Sequence, residues 1–89
     1  MLEQEIQIIN KLGLHARASA KLVSTASRFE SRVDIAFGSH TADAKSIMSA
    51  MMLAASVGSK VLLRTDGVDE QAAMDAISAL INNHFDEEQ

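Results

Sequence analysis

The order of hydrophobic periods predicts an α+β domain, a four-stranded antiparallel sheet with its helices on one face and the other face left to solvent. Three observations carry this expectation. Apolar residues recur at period two or at about 3.6 in the order strand, helix, strand, strand, helix, strand, helix. The 89 residues can bury one modest core but not two, so residues 1–89 are read as one domain. A composition of 47 % hydrophobic and 22 % charged residues, with no Pro, is that of an ordinary globular chain.

Leu2, Ile6 and Ile8 alternate as a first strand that Gly13 closes with a turn. From Ala16 the period changes, and Ala18, Leu22, Ala26 and Phe29 stack on one face of a helix that begins at His15 or Ala16. Val33, Ile35 and Phe37 form a second strand, and a Gly38-Ser39-His40 turn leads into a short third one from Thr41 to Ala44. Ser46 is placed to cap a helix over Ile47 to Ala55, with Gly58 at its exit. Val61, Leu63 and Thr65 alternate as a fourth strand, Asp66-Gly67 turns the chain, and Asp69 can cap the last helix. Ala73, Ile77, Leu80, Ile81 and Phe85 supply that helix with a buried stripe, and the Glu-rich tail, residues 86–89, is expected to fray. The element order without its last helix also fits a ferredoxin-like plan, and periodicity does not choose between the two strand orders.

Composition excludes several kinds of chemistry. Without Cys there are no disulfides, thiol nucleophiles or thiolate metal sites, and three unclustered His residues do not make a metal centre, so no metal or cofactor is expected. A net charge of −4 argues against nucleic acid as a partner. The longest apolar stretch, Ile47 to Val57, is far shorter than the roughly 20 residues a membrane span needs. The acidic Met1-Leu2-Glu3-Gln4-Glu5 start is unlike a secretory signal, which places the chain in the cytoplasm.

Lys11-Leu12-Gly13-Leu14-His15-Ala16-Arg17 sets a histidine where a loop becomes a helix. The first amides of a helix have no intrahelical acceptor and, with the macrodipole, attract an anion. The same positive end favours a neutral, nucleophilic imidazole at His15, and Arg17 adds a fixed cation two residues on. A phosphoryl group on His15 would meet the backbone amides of Ala16 and Arg17 and the Arg17 guanidinium. Imidazole nitrogen both attacks phosphorus and leaves it readily, which suits relay. A histidine before a helix is nonetheless more often a solvated residue without a role, and spacing alone does not decide between the two. No carboxylate pair is placed beside a His by the sequence, so an autonomous acid–base site has little support. His40, in a turn, and His84, late in the last helix, read as structural or solvated. Met48, Met51 and Met52 cannot all face the core of one short helix; thioethers left exposed beside the site would suit several partners, and filling gaps in the core is an equal alternative.

Gly13-Leu14-His15-Ala16-Arg17, followed by Lys45-Ser46-Ile47-Met48 and by Asp66-Gly67 before a final helix, resembles the HPr family, the histidine-containing phosphocarriers of the bacterial phosphotransferase system. The resemblance spans essentially the whole chain. It implies an open-faced β-sandwich of βαββαβα order with sheet order 1-4-2-3. It implies that His15 accepts phosphoryl on its pros nitrogen and that Arg17 steadies it. It also implies a monomer that is no enzyme in its own right, taking phosphoryl from phosphorylated enzyme I and passing it to enzyme IIA domains. By the same likeness Ser46 matches the serine that HPr kinase/phosphorylase modifies in some bacteria, and Ile47, Met48 and Met51 match the family's partner-facing segment near it. Many members carry Pro where this chain has Ala18, so the first helical turn is less rigid here. The nitrogen-related NPr branch shares the His motif, so sugar uptake and regulatory relay are both open. A small ligand-binding regulatory domain and a bare adaptor are the competing readings from other functional classes.

Overall fold

A computed structural model describes residues 1–87 of the chain. Glu88 and Gln89, the end of the tail expected to fray, lie outside the described residues. The strands are β1 (Leu2–Gln7), β2 (Arg32–Phe37), β3 (His40–Asp43) and β4 (Lys60–Asp66); the helices are α1 (Ala16–Ala26), α2 (Ile47–Met52) and α3 (Glu70–Asn82). A single 3₁₀ turn, His84–Asp86, follows α3.

The strands form one antiparallel sheet in the order β1-β4-β2-β3. This removes the ambiguity that periodicity left, because β4 lies between β1 and β2 with Ile6 opposite Val61 and Ile35 opposite Leu63. Those residues lie at one or two per cent exposure or less on β2 and β4, and all point to one face. Alternation causes this: Val61, Leu63 and Thr65 go inward while Lys60, Leu62 and Arg64 do not. α3 lies against β4 and β1, α2 against β3, and α1 against both of the other helices. The helical layer closes the core with Ala18, Leu22 and Ala26 of α1 and Ala73, Ile77 and Ile81 of α3, all fully buried.

Four local features depart from the expectation. β3 pairs His40 with Phe37, so the hairpin turn is only Gly38-Ser39 and the strand stops one residue earlier, at Asp43. α2 is shorter than expected and ends at Met52: Leu53 and Ala54 donate to the carbonyls of Ala50 and Met51, which tightens the last turn, and Ala54 then leaves with φ 55°. Gly58 is therefore no helix exit but part of the entry to β4, its N–H donating to the Ile8 carbonyl at 2.8 Å. Asp69 caps no amide of α3. Its carboxylate instead accepts from the N–H groups of Glu30 and Ser31, both at 2.9 Å, and from the Ser31 hydroxyl. These donors, the hydroxyl foremost, hold the Asp69 carboxyl below its usual value.

The last departure is at the end of the chain. Phe85, expected on the helical stripe, lies beyond the helix, and His84, Phe85 and Asp86 have φ of 56°, 53° and 63°. Such a left-handed turn costs on the order of 1 kcal/mol or more per residue outside glycine. Burial offsets it, because the Phe85 ring is fully enclosed. The Asn83 side chain donates to Asp86 at 2.7 Å and Lys21 of α1 lies 3.7 Å from the Asp86 carboxylate. Asp86 and Glu87, placed in the fraying tail by sequence, are thus tied to the domain. Phe85→Ala should lower stability by about 3–5 kcal/mol, measured by chemical denaturation, with the amides of residues 84–87 losing exchange protection well before those of β4.

Candidate functional site

The loop before α1 is shaped by one glycine and one buried amide. Gly13 has φ +65°, and a Cβ there would meet the Ala55 carbonyl oxygen at 2.5 Å and Ser56 Cα at 2.8 Å. That close approach lets Leu14 donate to the Ala55 carbonyl at 2.9 Å and drop its side chain into the core, at 4 % exposure. Asn10, fully buried, ties the other side of the loop by donating from Nδ2 to the Gly13 carbonyl at 2.8 Å. With Leu14 inward, the next residue must turn out. His15 becomes the N-cap residue of α1, in extended conformation, with its side chain 27 % exposed.

The imidazole caps none of the helix amides, and no acidic residue occupies the first turn of α1. Among the described residues the amides of Ala16 and Arg17 therefore have neither an intrahelical acceptor nor a cap. His15 and Arg17 share an open depression of about 330 Å³ with Lys11, Leu12 and Glu87. Among the described residues no three His, Asp or Glu side chains converge in the manner of a metal centre.

Glu87 is the residue that sequence reasoning missed. Its Oε2 is hydrogen-bonded to Nε2 of His15, and its Oε1 accepts from Asn10 Nδ2 at 3.1 Å. The side chain is 9 % exposed. Burial alone would push this carboxyl up, but hydrogen bonds from His15 and Asn10, together with the charges of His15 and Arg17, hold it below the usual carboxylate range. Two signals in the sequence pointed this way: an aromatic residue, Phe85, inside an otherwise acidic tail, and a lone amide, Asn10, after the apolar pair Ile8-Ile9. Neither says what the tail touches, since 72 positions separate Glu87 from His15.

The second motif lies on the neighbouring helix and outside the depression. Ser46 is the N-cap of α2, its hydroxyl accepting from the Ser49 N–H at 3.4 Å. Ile47, Met48 and Met51 are exposed, at 39 %, 65 % and 38 %, and so is Met52 at 79 %, so all three methionines stand outside the core. α2 packs on α1, and the Leu14–Ala55 bond joins the His15 loop to the segment that follows α2. Leu12, 66 % exposed, adds an apolar side chain at the depression itself that sequence reasoning did not single out.

An accessible imidazole between a guanidinium and unmet helix amides, on a small α+β domain with one covered sheet face, is an arrangement able to carry a small anionic group. Residues 2–83 match the family described as the PTS HPr component phosphorylation site. The chain is 60 % identical over 87 residues to phosphocarrier protein HPr of Cupriavidus necator, covering 98 % of each. It is 44 % identical over 86 residues to phosphocarrier protein NPr of Shewanella violacea, covering 97 % of this chain and 94 % of that one. The crystal structure of HPr-C-His from Thermoanaerobacter tengcongensis superposes with a TM-score of 0.95 at 44 % identity, covering all of both chains. The chain belongs to the HPr family, the phosphocarrier proteins of the phosphotransferase system.

Because the folded-state value of Glu87 is lowered, its docking contributes stability above the ordinary value of 4.5 and loses it as pH falls through the lower, folded value. Amide shifts of residues 84–87 followed by NMR should be constant above that point and move together below it. Glu87→Gln should abolish the transition.

Proposed function

We propose that this chain relays phosphoryl from phosphorylated enzyme I, itself charged by phosphoenolpyruvate, to enzyme IIA domains in sugar uptake and its regulation. The observation that carries the reading is the position of His15, exposed at the open start of α1 in one depression with Arg17. Nδ1 of His15 takes the phosphoryl group; the Arg17 guanidinium and the amides of Ala16 and Arg17 stabilise its charge. An exposed guanidinium and two backbone amides hold an anion without enclosing it, which suits a group that must leave again. The partner enzymes supply the rest of each catalytic site, so the chain acts as their substrate and donor rather than as an enzyme.

Exposed Ile47, Met48 and Met51, with Leu12, form the surface on which those partners dock. The chain works as a monomer in the cytoplasm; no helix among the described residues is long and apolar enough to cross a membrane. Greater identity to an HPr than to an NPr, 60 % against 44 %, favours the sugar branch over nitrogen-related regulation. Ser46 is a phosphorylation target of HPr kinase/phosphorylase, and a phosphate there would set negative charge beside the docking residues.

Incubation with enzyme I and phosphoenolpyruvate should yield an acid-labile, base-stable adduct that mass spectrometry maps to His15 and that disappears in His15→Ala. An adduct of equal yield in that variant overturns the reading. Ser46→Asp should weaken binding to enzyme I by roughly tenfold, measured by titration calorimetry, with the fold intact by circular dichroism.

A further inference from the structure

A neutral imidazole carries one hydrogen, and the partner of one ring nitrogen decides what the other can do. Nε2 of His15 faces Glu87, whose carboxylate can only accept, so the hydrogen resides on Nε2 and the lone pair on Nδ1. Among the described residues no hydrogen bond is recorded for Nδ1. The carboxylate is delivered by structure. Phe85 anchors the left-handed turn in the core, and the buried Asn10 amide holds Oε1 so that Oε2 meets the ring. The charged groups around it are Lys11 of the loop and Arg17 of α1, while Lys21 of α1 is engaged by Asp86.

We propose, resting on the phosphoryl-relay reading above, that Glu87 is a positioning residue for the transfer at His15: it fixes the Nε2–H tautomer and balances the positive charge that the ring acquires. In the step itself the Nδ1 lone pair forms the N–P bond. The bond from phosphorus to the donor's leaving atom breaks, and that electron pair departs with the donor. The ring keeps its Nε2 hydrogen throughout and so becomes cationic, with the charge shared between both nitrogens and opposed by the carboxylate. Discharge is the reverse: the N–P bond breaks, its pair returns to Nδ1, and the ring is neutral again. A carboxylate performs the same service for the imidazolium of a Ser-His-Asp triad. One contact thus assists charging and keeps the phosphorylated ring in its transfer-ready, Nε2-protonated form.

The test uses the full chain, labelled with ¹⁵N, and potassium phosphoramidate, a small donor that releases ammonia and needs no partner enzyme. At mildly alkaline pH the ¹⁵N shifts of His15 should report Nε2–H and a bare Nδ1, and ³¹P NMR should place the phosphoryl on Nδ1. Glu87→Gln, near-isosteric and neutral, should slow charging by roughly tenfold. It should also slow spontaneous hydrolysis of the phosphohistidine by a similar factor and move its pH profile to lower pH, which a merely structural contact would not do. Should Glu87→Gln fail to fold, Glu87→Ala reports the same quantities, and the tautomer of the unaltered chain needs no variant. Equal charging and hydrolysis rates with and without the carboxylate, or hydrogen on Nδ1 in the unaltered chain, overturn the proposal. Charging by phosphoramidate with the expected Glu87 dependence, but none by enzyme I, would sink the relay reading and leave this one standing. The converse result would do the opposite.

Discussion

The amides that open α1 receive no side-chain cap among the described residues, and the surface around His15 is organised about them. A helix start is usually closed by its own N-cap side chain. Here the N-cap residue is the histidine, and its ring turns toward Glu87 instead of back to the helix. The opening persists because the loop before it is fastened from two sides. The Asn10 amide holds the Gly13 carbonyl, and the Leu14 N–H reaches Ala55 across a gap that only a glycine at position 13 allows.

Charge is arranged locally against the trend of the whole chain. The protein carries a net −4, yet among the described residues the depression is lined by two cations, Lys11 and Arg17, and one carboxylate, Glu87. Both cations are open enough to water that each attraction is modest, and modest attraction is what a carrier needs if it is to release its cargo. The carboxylate is the exception in being largely enclosed, and its lowered value reflects hydrogen bonds and nearby positive charge prevailing over the burial that would raise it.

Much of this was legible in advance. Periods of two and of about 3.6 located β1, β2, β4, α1 and α3, because each of these buries one face and the side chains on that face are set by backbone geometry, while turn and cap residues located β3 and α2. Ala18, Leu22 and Ala26 on α1, and Val61 and Leu63 on β4, are buried as the spacing implies. His15 and Arg17 came together for the same local reason: they lie two residues apart at a helix start. The end of α2, the bonds of Asp69 and the fate of Phe85 were not legible. Each depends on a neighbour far away in the chain: Leu14 for the segment after α2, Ser31 for Asp69, and the core for Phe85.

By itself, then, the amino-acid order determined the elements, their buried faces and the placement of His15 two residues from Arg17 at a helix start, since all of these follow from interactions between near neighbours. Packing alone decided that β4 enters between β1 and β2, that an acidic tail folds back in a left-handed turn, and that its carboxylate meets the imidazole. Contacts across 72 positions leave no periodic trace, because the free energy that forms them comes from burying Phe85 and from the hydrogen bond that Asn10 Nδ2 donates to Glu87, not from any repeat along the chain.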